Sequence, residues 1–392
     1  MKRIKRILGA SLAALLLASC GGGGGSASSN SVGFTQIASF GDSLSDPGAF
    51  SVGSVALLGG GRYTINSGSQ TAPSKIWLDL IAAQLSLPAP CAAVKGLTSR
   101  APFGAPVART TQAGCTNYAQ GGSRVINPIG PANSALPDAA GGAVGQLTEP
   151  VTTQISNYLA ANGNTFGPKT LVTVLAGGND TFFNGNGVSA AAAGGMGAVG
   201  AGLFAGWTNG ADALAATLAA GGTTATNAAI AQAITTMSQA GTTLANQIKT
   251  EIVGKGAKYV LVMNLPDVAS SPYGVENPTA VPLVNQMVQA FNASLTAGLS
   301  GVSGVVIGDT YTTSREQFTN PGAFAASNSR NRACKRAPDN LLDGASLVCN
   351  PTNVIAGDVS KYLFADDVHP TPYGHQLIAQ FAAKVLATAG WL

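Results

Sequence analysis

Four short strand-like runs are spread along the chain, and each ends abruptly at glycine or small polar residues. Phe34 to Phe40 stops at Gly41-Asp42-Ser43-Leu44, and Leu171 to Leu175 stops at Ala176-Gly177-Gly178-Asn179-Asp180. Lys258 to Met263 and Val305 to Ile307 repeat the pattern. The first run is of β type, and a continuous apolar run such as Leu171–Leu175 that delivers a loop reads as a strand buried on both faces. Between them the period becomes helical. Pro73 to Leu85 carries Ile76, Trp77, Leu80 and Ile81 on one face, Asn227 to Ile252 is helical in character, and Tyr373 to Leu386 repeats Leu377, Ile378, Phe381, Val385 and Leu386. This alternation predicts an α/β fold, a three-layer sandwich with helices on both faces of a mostly parallel sheet. Sites in such sheets lie beyond the carboxyl ends of the strands, which directs attention to the polar turns after the first two runs.

Two segments stand outside the alternation. Phe183 to Gly222 is dense in Ala and Gly, poor in charge and without a clean period. It reads as an insertion, either a helical lid beside a substrate or a soft surface excursion. Its Gly195-Met196-Gly197-Ala198-Val199-Gly200 has the spacing of a dinucleotide loop, but no strand precedes it and no acidic residue follows about twenty positions later. The other segment is the amino end. Met1-Lys2-Arg3-Ile4-Lys5-Arg6, the apolar run Ile7 to Leu17 and the small residues after it have the layout of a secretory signal, so residues 1–19 are assigned to export. Leu17-Ala18-Ser19-Cys20 resembles a bacterial lipoprotein box with Cys20 acylated; a plain signal peptide would leave Cys20 spare. Gly21, where an inner-membrane retention aspartate would stand, implies the outer membrane. Residues 20–33 then form a lipidated cysteine and a flexible Gly/Ser tether, followed by a single domain over 34–392.

Charge removes the case for nucleic acid. The chain carries 21 basic and 17 acidic residues, and Lys2, Arg3, Lys5 and Arg6 leave with the signal, so 21 − 4 = 17 basic residues balance 17 acidic ones. The basic pI then implies no polyanionic partner. Cys91 with Cys115 and Cys334 with Cys349 form two near pairs, the natural disulfides of an oxidising compartment, although four cysteines allow three pairings. Two histidines and no Cys-x-x-Cys argue against a zinc site. The expectation is an exported monomer at the outer membrane or cell surface, with periplasmic or secreted forms as alternatives.

The scarcity of histidine narrows the chemistry. A nucleophilic serine needs a base, and the base needs a carboxylate to orient it. Only His369 and His375 are available. In Asp366-Asp367-Val368-His369-Pro370, an aspartate three residues before a histidine on one turn can accept from Nδ1–H and leave Nε2 for a serine. That spacing selects Asp366 and leaves Asp367 to solvent or a cap. His375 opens the last helix within Pro372-Tyr373-Gly374-His375, a capping or packing position. Ser43, at the end of the first run, is the candidate nucleophile. Asp42, Asp46 and Asp180 read as structural, since short carboxylates at such turns bond backbone N–H groups. No Gly-x-Ser-x-Gly is present, so the nucleophile elbow of α/β-hydrolases lacks support.

Taken in order, Phe40-Gly41-Asp42-Ser43-Leu44-Ser45-Asp46, Asn117-Tyr118-Ala119-Gln120-Gly121-Gly122, Gly177-Gly178-Asn179-Asp180 and Asp366-x-x-His369 resemble blocks I, II, III and V of the GDSL (SGNH) hydrolases. Asn264-Leu265-Pro266-Asp267 also resembles a segment usual in that family. The resemblance spans nearly the whole chain after the signal. It implies a flavodoxin-like sandwich with a five-stranded sheet, and cleavage of carboxylic esters through an acyl-enzyme on Ser43 with Asp366 and His369. It implies no metal and no organic cofactor. The oxyanion hole would comprise the backbone N–H of Ser43, that of Gly122 and the amide of Asn179; Gly121 is the rival donor, decided by the register of the turn. An acyltransferase would carry the same motifs. A catalytically silent binding lipoprotein would lack the serine, asparagine or histidine, and none is missing. The resemblance is closest to the esterase passenger domains of autotransporters, but 23 residues follow His369, too few for a C-terminal barrel. Surface display would then come through Cys20. The few charges and the Ala/Gly insertion favour an ester with an apolar acyl group.

Overall fold

The computed structural model describes residues 31–193 and 221–392. The residues read as an export signal, Cys20, most of the expected tether and the Gly195–Gly200 pattern lie outside the described residues. The strands, in chain order, are β1 (Gln36–Gly41), β2 (Val94–Leu97), β3 (Val107–Thr111), β4 (Thr170–Leu175), β5 (Tyr259–Met263), β6 (Val305–Gly308), β7 (Asn328–Arg332) and β8 (Tyr362–Phe364). The α-helices are α1 (Gly53–Leu57), α2 (Trp77–Gln84), α3 (Val151–Ala161), α4 (Gly178–Ala192), α5 (Gly222–Gln247), α6 (Pro272–Glu276), α7 (Val281–Leu299), α8 (Thr310–Thr319) and α9 (Pro372–Thr388).

All four apolar runs are strands of one parallel sheet, in the order β1-β4-β5-β6. Successive residues point to opposite faces, and both faces are covered. Ala38, Phe40, Val172, Val174, Val260 and Val262 pack with residues of α3, α5 and α7, among them Ile155, Met237 and Phe291. Ile37, Leu171, Leu175, Leu261 and Met263 pack with α2 and α9 through Trp77, Ile81, Ala382 and Leu386. Double coverage is why these strands show no polar alternation. Each large apolar side chain so buried contributes about 1.5–3 kcal/mol.

The expected fifth strand is reduced to a bridge. Residues 116–120 run beside β1, but Ser39 and Asn117 are the single pair there. Tyr118 N–H donates to Ser39 O at 2.8 Å and Gln120 N–H to Gly41 O at 3.2 Å. Asn117 turns its side chain back on the segment, accepting from Ala119 N–H and donating to Ser45 O. The amide of Gln154, on α3, accepts from Gly41 N–H and donates to Gly41 O, both at 2.8 Å. Side chains thus satisfy the sheet edge where a regular strand was expected.

Helix α2 begins at Trp77 instead of Pro73. Asp79 accepts from Ile76 N–H at 2.8 Å and pairs with buried Arg62, whose guanidinium also donates to Ser74 O and holds residues 73–75 outside the helix. The long helix starts earlier than Asn227, at Gly222, and its last turn, Ile248–Ile252, widens to a π-turn. The described ends of the Ala/Gly insertion are helical: Phe183 to Ala192 continues α4, and Gly222 opens α5. Alanine, the best helix former, accounts for that without an amphipathic period.

Both near cysteine pairs are disulfides, Cys91–Cys115 and Cys334–Cys349. No helix among the described residues is long and apolar enough to cross a membrane. The double substitution Cys334→Ala/Cys349→Ala opens a loop of sequence separation 15 and is expected to lower the unfolding free energy by about 3 kcal/mol in urea titrations. A loss below about 1 kcal/mol would mean that packing alone holds the loop.

Candidate active site

Beyond β1 the chain enters a short 3-10 turn, Ser43–Ser45. Asp42 caps it, accepting from Leu44 N–H at 3.2 Å. Asp46 accepts from Gly48 and Ala49 N–H at 2.8 and 2.7 Å, and its other oxygen accepts from Gly121 N–H at 2.8 Å. The two carboxylates organise the turn, as their positions suggested. Burial pushes Asp42 up to about 7 and Asp46 up to about 6.

His369 Nε2 lies 2.8 Å from Ser43 Oγ, and its Nδ1 lies 2.7 Å from Asp366 Oδ2. Asp366 is nearly inaccessible, and backbone donors surround it. Oδ1 accepts from Val368 and His369 N–H at 3.0 and 2.8 Å, and Oδ2 accepts from Ser346 N–H at 2.7 Å. Burial alone would raise Asp366, but the His369 charge and hydrogen bond, with the Ser346 and Val368 donors, hold it well below the usual carboxylate range. His369 itself is raised. Burial alone would lower it, and the Asp366 charge and hydrogen bond, helped by Asp42, outweigh that.

Asp367 points away from the imidazole, as its spacing suggested, but neither caps a helix nor stays free in solvent. It pairs with Arg332 and lies 3.8 Å from Arg336. His375 takes the packing role. It is fully buried, its Nε2 meets Tyr63 O at 3.4 Å, and burial drives it down to about 3. The helix cap is Thr371, whose hydroxyl accepts from Gly374 N–H.

Asn179 sits in the first turn of α4 and lines the same cavity as Ser43. One N–H of its amide is donated to Ser123 O at 2.8 Å, which leaves the second for another acceptor. Gly121 and Gly122, equivalent in sequence, differ here. Gly121 N–H is committed to Asp46, whereas the N–H groups of Gly122 and Ser43 make no hydrogen bond among the described residues. Gly122 has φ +77°, and a Cβ there would lie 2.6 Å from Pro131 O and 2.7 Å from Thr148 Cγ2, so no larger residue fits. Asp180 reaches beyond its own turn. It accepts from Arg124 Nε at 3.1 Å and Val125 N–H at 3.0 Å, fastening the chain after Gly122 to the helix that bears Asn179.

Ser43 and His369 open into a cavity of about 460 Å³ whose lining is mostly apolar, with Leu44, Phe182, Leu265, Val268, Ile378 and Phe381 among its walls and Asp267, Thr313 and Gln317 also bordering it. Leu265 belongs to the Asn264–Asp267 segment and is fixed by paired hydrogen bonds between its backbone and the amide of Asn292. Asn186, from the Ala/Gly-rich stretch, also borders this cavity. Ser346, Gln154 and Tyr63 belong to the site without any motif to announce them. Ser346 acts through its backbone, which leaves no trace in side-chain type. Arg124, a charged residue just past the glycine pair, was a usable signal.

A family model described as GDSL-like Lipase/Acylhydrolase matches residues 37–382. The protein named Esterase EstA from Pseudomonas aeruginosa is 34% identical over 139 residues, which cover 34% of this chain and 20% of that protein. Esterase EstA from Pseudomonas putida gives the same figures. The similar stretch is thus about a fifth of the length of these relatives.

NMR titration of the His369 imidazole is expected to give a midpoint above 6.5, and Asp366→Asn, which removes the neighbouring negative charge, to bring it below the wild-type value. A wild-type midpoint at or below 6.5 would mean that burial outweighs the carboxylate.

Proposed function

The chain belongs to the GDSL-like lipase/acylhydrolase family, and we propose that it hydrolyses carboxylic esters with apolar acyl groups through an acyl-enzyme on Ser43. One observation carries this reading: the relay Ser43–His369–Asp366, at 2.8 and 2.7 Å, in the wall of an apolar cavity.

In the proposed mechanism Ser43 Oγ attacks the ester carbonyl carbon while His369 Nε2 takes its proton. Asp366 fixes the tautomer and stabilises the imidazolium. Negative charge on the carbonyl oxygen is met by the N–H groups of Ser43 and Gly122 and the free N–H of Asn179. Each such donor is worth about 3–4 kcal/mol in the transition state, because it is oriented before the charge appears. The intermediate collapses as His369 returns the proton to the departing alcohol. Water, deprotonated by His369, then releases the acid and restores Ser43. Gly121 is not assigned a role here, since its N–H already serves Asp46. The substrate class follows from the cavity: its volume suits a small-molecule ligand, and its walls offer an acyl chain mainly aliphatic and aromatic contacts.

Export and anchoring through Cys20 complete the proposal. Two disulfides suit an oxidising compartment, and the tether gives a lipidated amino end reach.

Purified protein is expected to cleave p-nitrophenyl esters in a chain-length-dependent manner, with Ser43→Ala lowering kcat at least about 1,000-fold and a fluorophosphonate label mapping to Ser43. Equal activity in wild type and Ser43→Ala would move the nucleophile elsewhere. For the anchor, Cys20→Ser is expected to shift the protein from the membrane fraction to the soluble exported fraction; retention on the membrane would remove Cys20 from the account.

A further inference from the structure

Tyr63 belongs to no motif, yet it touches both halves of the site. Its ring centroid is 4.8 Å from that of His369, with the planes at 39°. Its hydroxyl end lies under the glycine turn: a Cβ on Gly121 would come within 1.9 Å of Tyr63 Oη and 2.1 Å of Cζ. Its carbonyl oxygen accepts from His375 Nε2, which is how the chain's second histidine enters the site. Tyr63 is therefore pinned from behind by a buried, neutral imidazole and presents its ring to the one beside Ser43.

Resting on the acyl-enzyme reading above, we propose that Tyr63 is a positioning residue: its ring holds His369 in the orientation aimed at Ser43 and stabilises the imidazolium formed when His369 takes the serine proton. The face of an aromatic ring carries partial negative charge and attracts a cation within about 6 Å of its centroid. The attraction is larger where water is excluded, and Tyr63 is only 6% exposed. The other charged groups acting on His369 are Asp366 on its own turn, Asp42 at the end of β1 and Asp367, itself held by Arg332. Asp46, Asp366 and Asp42 act on Tyr63, and Arg62 acts on His375. Burial keeps the Tyr63 hydroxyl neutral, so the ring acts through its face. Tyr63 also lines a second cavity, of about 860 Å³. A small replacement would let water reach the back of His369 from there, so the test uses side chains that keep the space filled.

Turnover of a short, soluble p-nitrophenyl ester is measured across pH for wild type, Tyr63→Phe and Tyr63→Met, with thermal unfolding as a control. Tyr63→Phe keeps the ring and should retain kcat within about threefold and the same acid limb. Tyr63→Met fills similar space without a π-face. Its kcat should fall at least about tenfold with KM within about threefold, and its acid limb should move down by about half a pH unit. If Tyr63→Met fails to fold, a Tyr63→pentafluorophenylalanine variant keeps the shape and reverses the charge of the ring face, and its acid limb must also move down. A wild-type acid limb in the folded, ring-altered variant overturns the proposal, as does a rise in KM alone, which would make Tyr63 a substrate contact. Failure of the underlying reading looks different: wild type and Ser43→Ala would then be equally active or equally inactive.

Discussion

The hydrogen bond between Ser43 and His369 joins residues 326 positions apart, and no local feature of the chain could make it. It requires β1 to end at the turn that carries Ser43 and β8 to deliver residues 366–369 opposite. The turn after β8 is closed by Ala365 N–H donating to His369 O at 2.8 Å. From this one contact the remaining demands follow. In the proposed mechanism the imidazole must be oriented, its partner must stay ionised although buried, and the donors for the developing charge must stand nearby without being used up.

Three buried aspartates show how the second demand is met. Asp46 has three backbone donors and Asp42 has its cap, yet burial still raises both. Asp366 also has three backbone donors, and it alone is lowered. The difference is the imidazole on Asp366. Arg62 also acts on Asp46 and His369 on Asp42, but only through charge without a hydrogen bond; the direct hydrogen bond to the imidazole, added to its charge, is what holds Asp366 down. The carboxylate held lowest is thus the one placed against the imidazole, and the other two build the turn that carries Ser43.

What the sequence revealed, and what it hid, divides along the same line between side chains and backbone. The four central strands were legible because burial on both faces leaves the runs largely apolar and without regular polar alternation. Ser43, Asn179, Asp366 and His369 were legible because their side-chain types at those spacings limit the chemistry, and two histidines leave little choice. Gly121 and Gly122 could not be told apart, since what separates them is a hydrogen bond from Gly121 to Asp46, 75 residues away. Ser346 contributes only an N–H. The fifth strand was expected from resemblance, and Gln154, a side chain on a helix, does part of its bonding. The hairpin of β2 and β3 escaped because Val107–Thr111 is largely exposed and gives no burial pattern.

The position of the site in the chain also has a temporal meaning. Ser43 lies just after the first strand of the sheet and His369 just before the last helix, whose packing against α2 closes one face of the core. During synthesis Ser43 emerges long before His369 exists. A growing chain carries a serine that is chemically ordinary until nearly all the rest has been made and the final helix has docked. The Ser43–His369 contact and completion of the fold therefore arrive together, and a partly made or carboxyl-clipped chain lacks that contact.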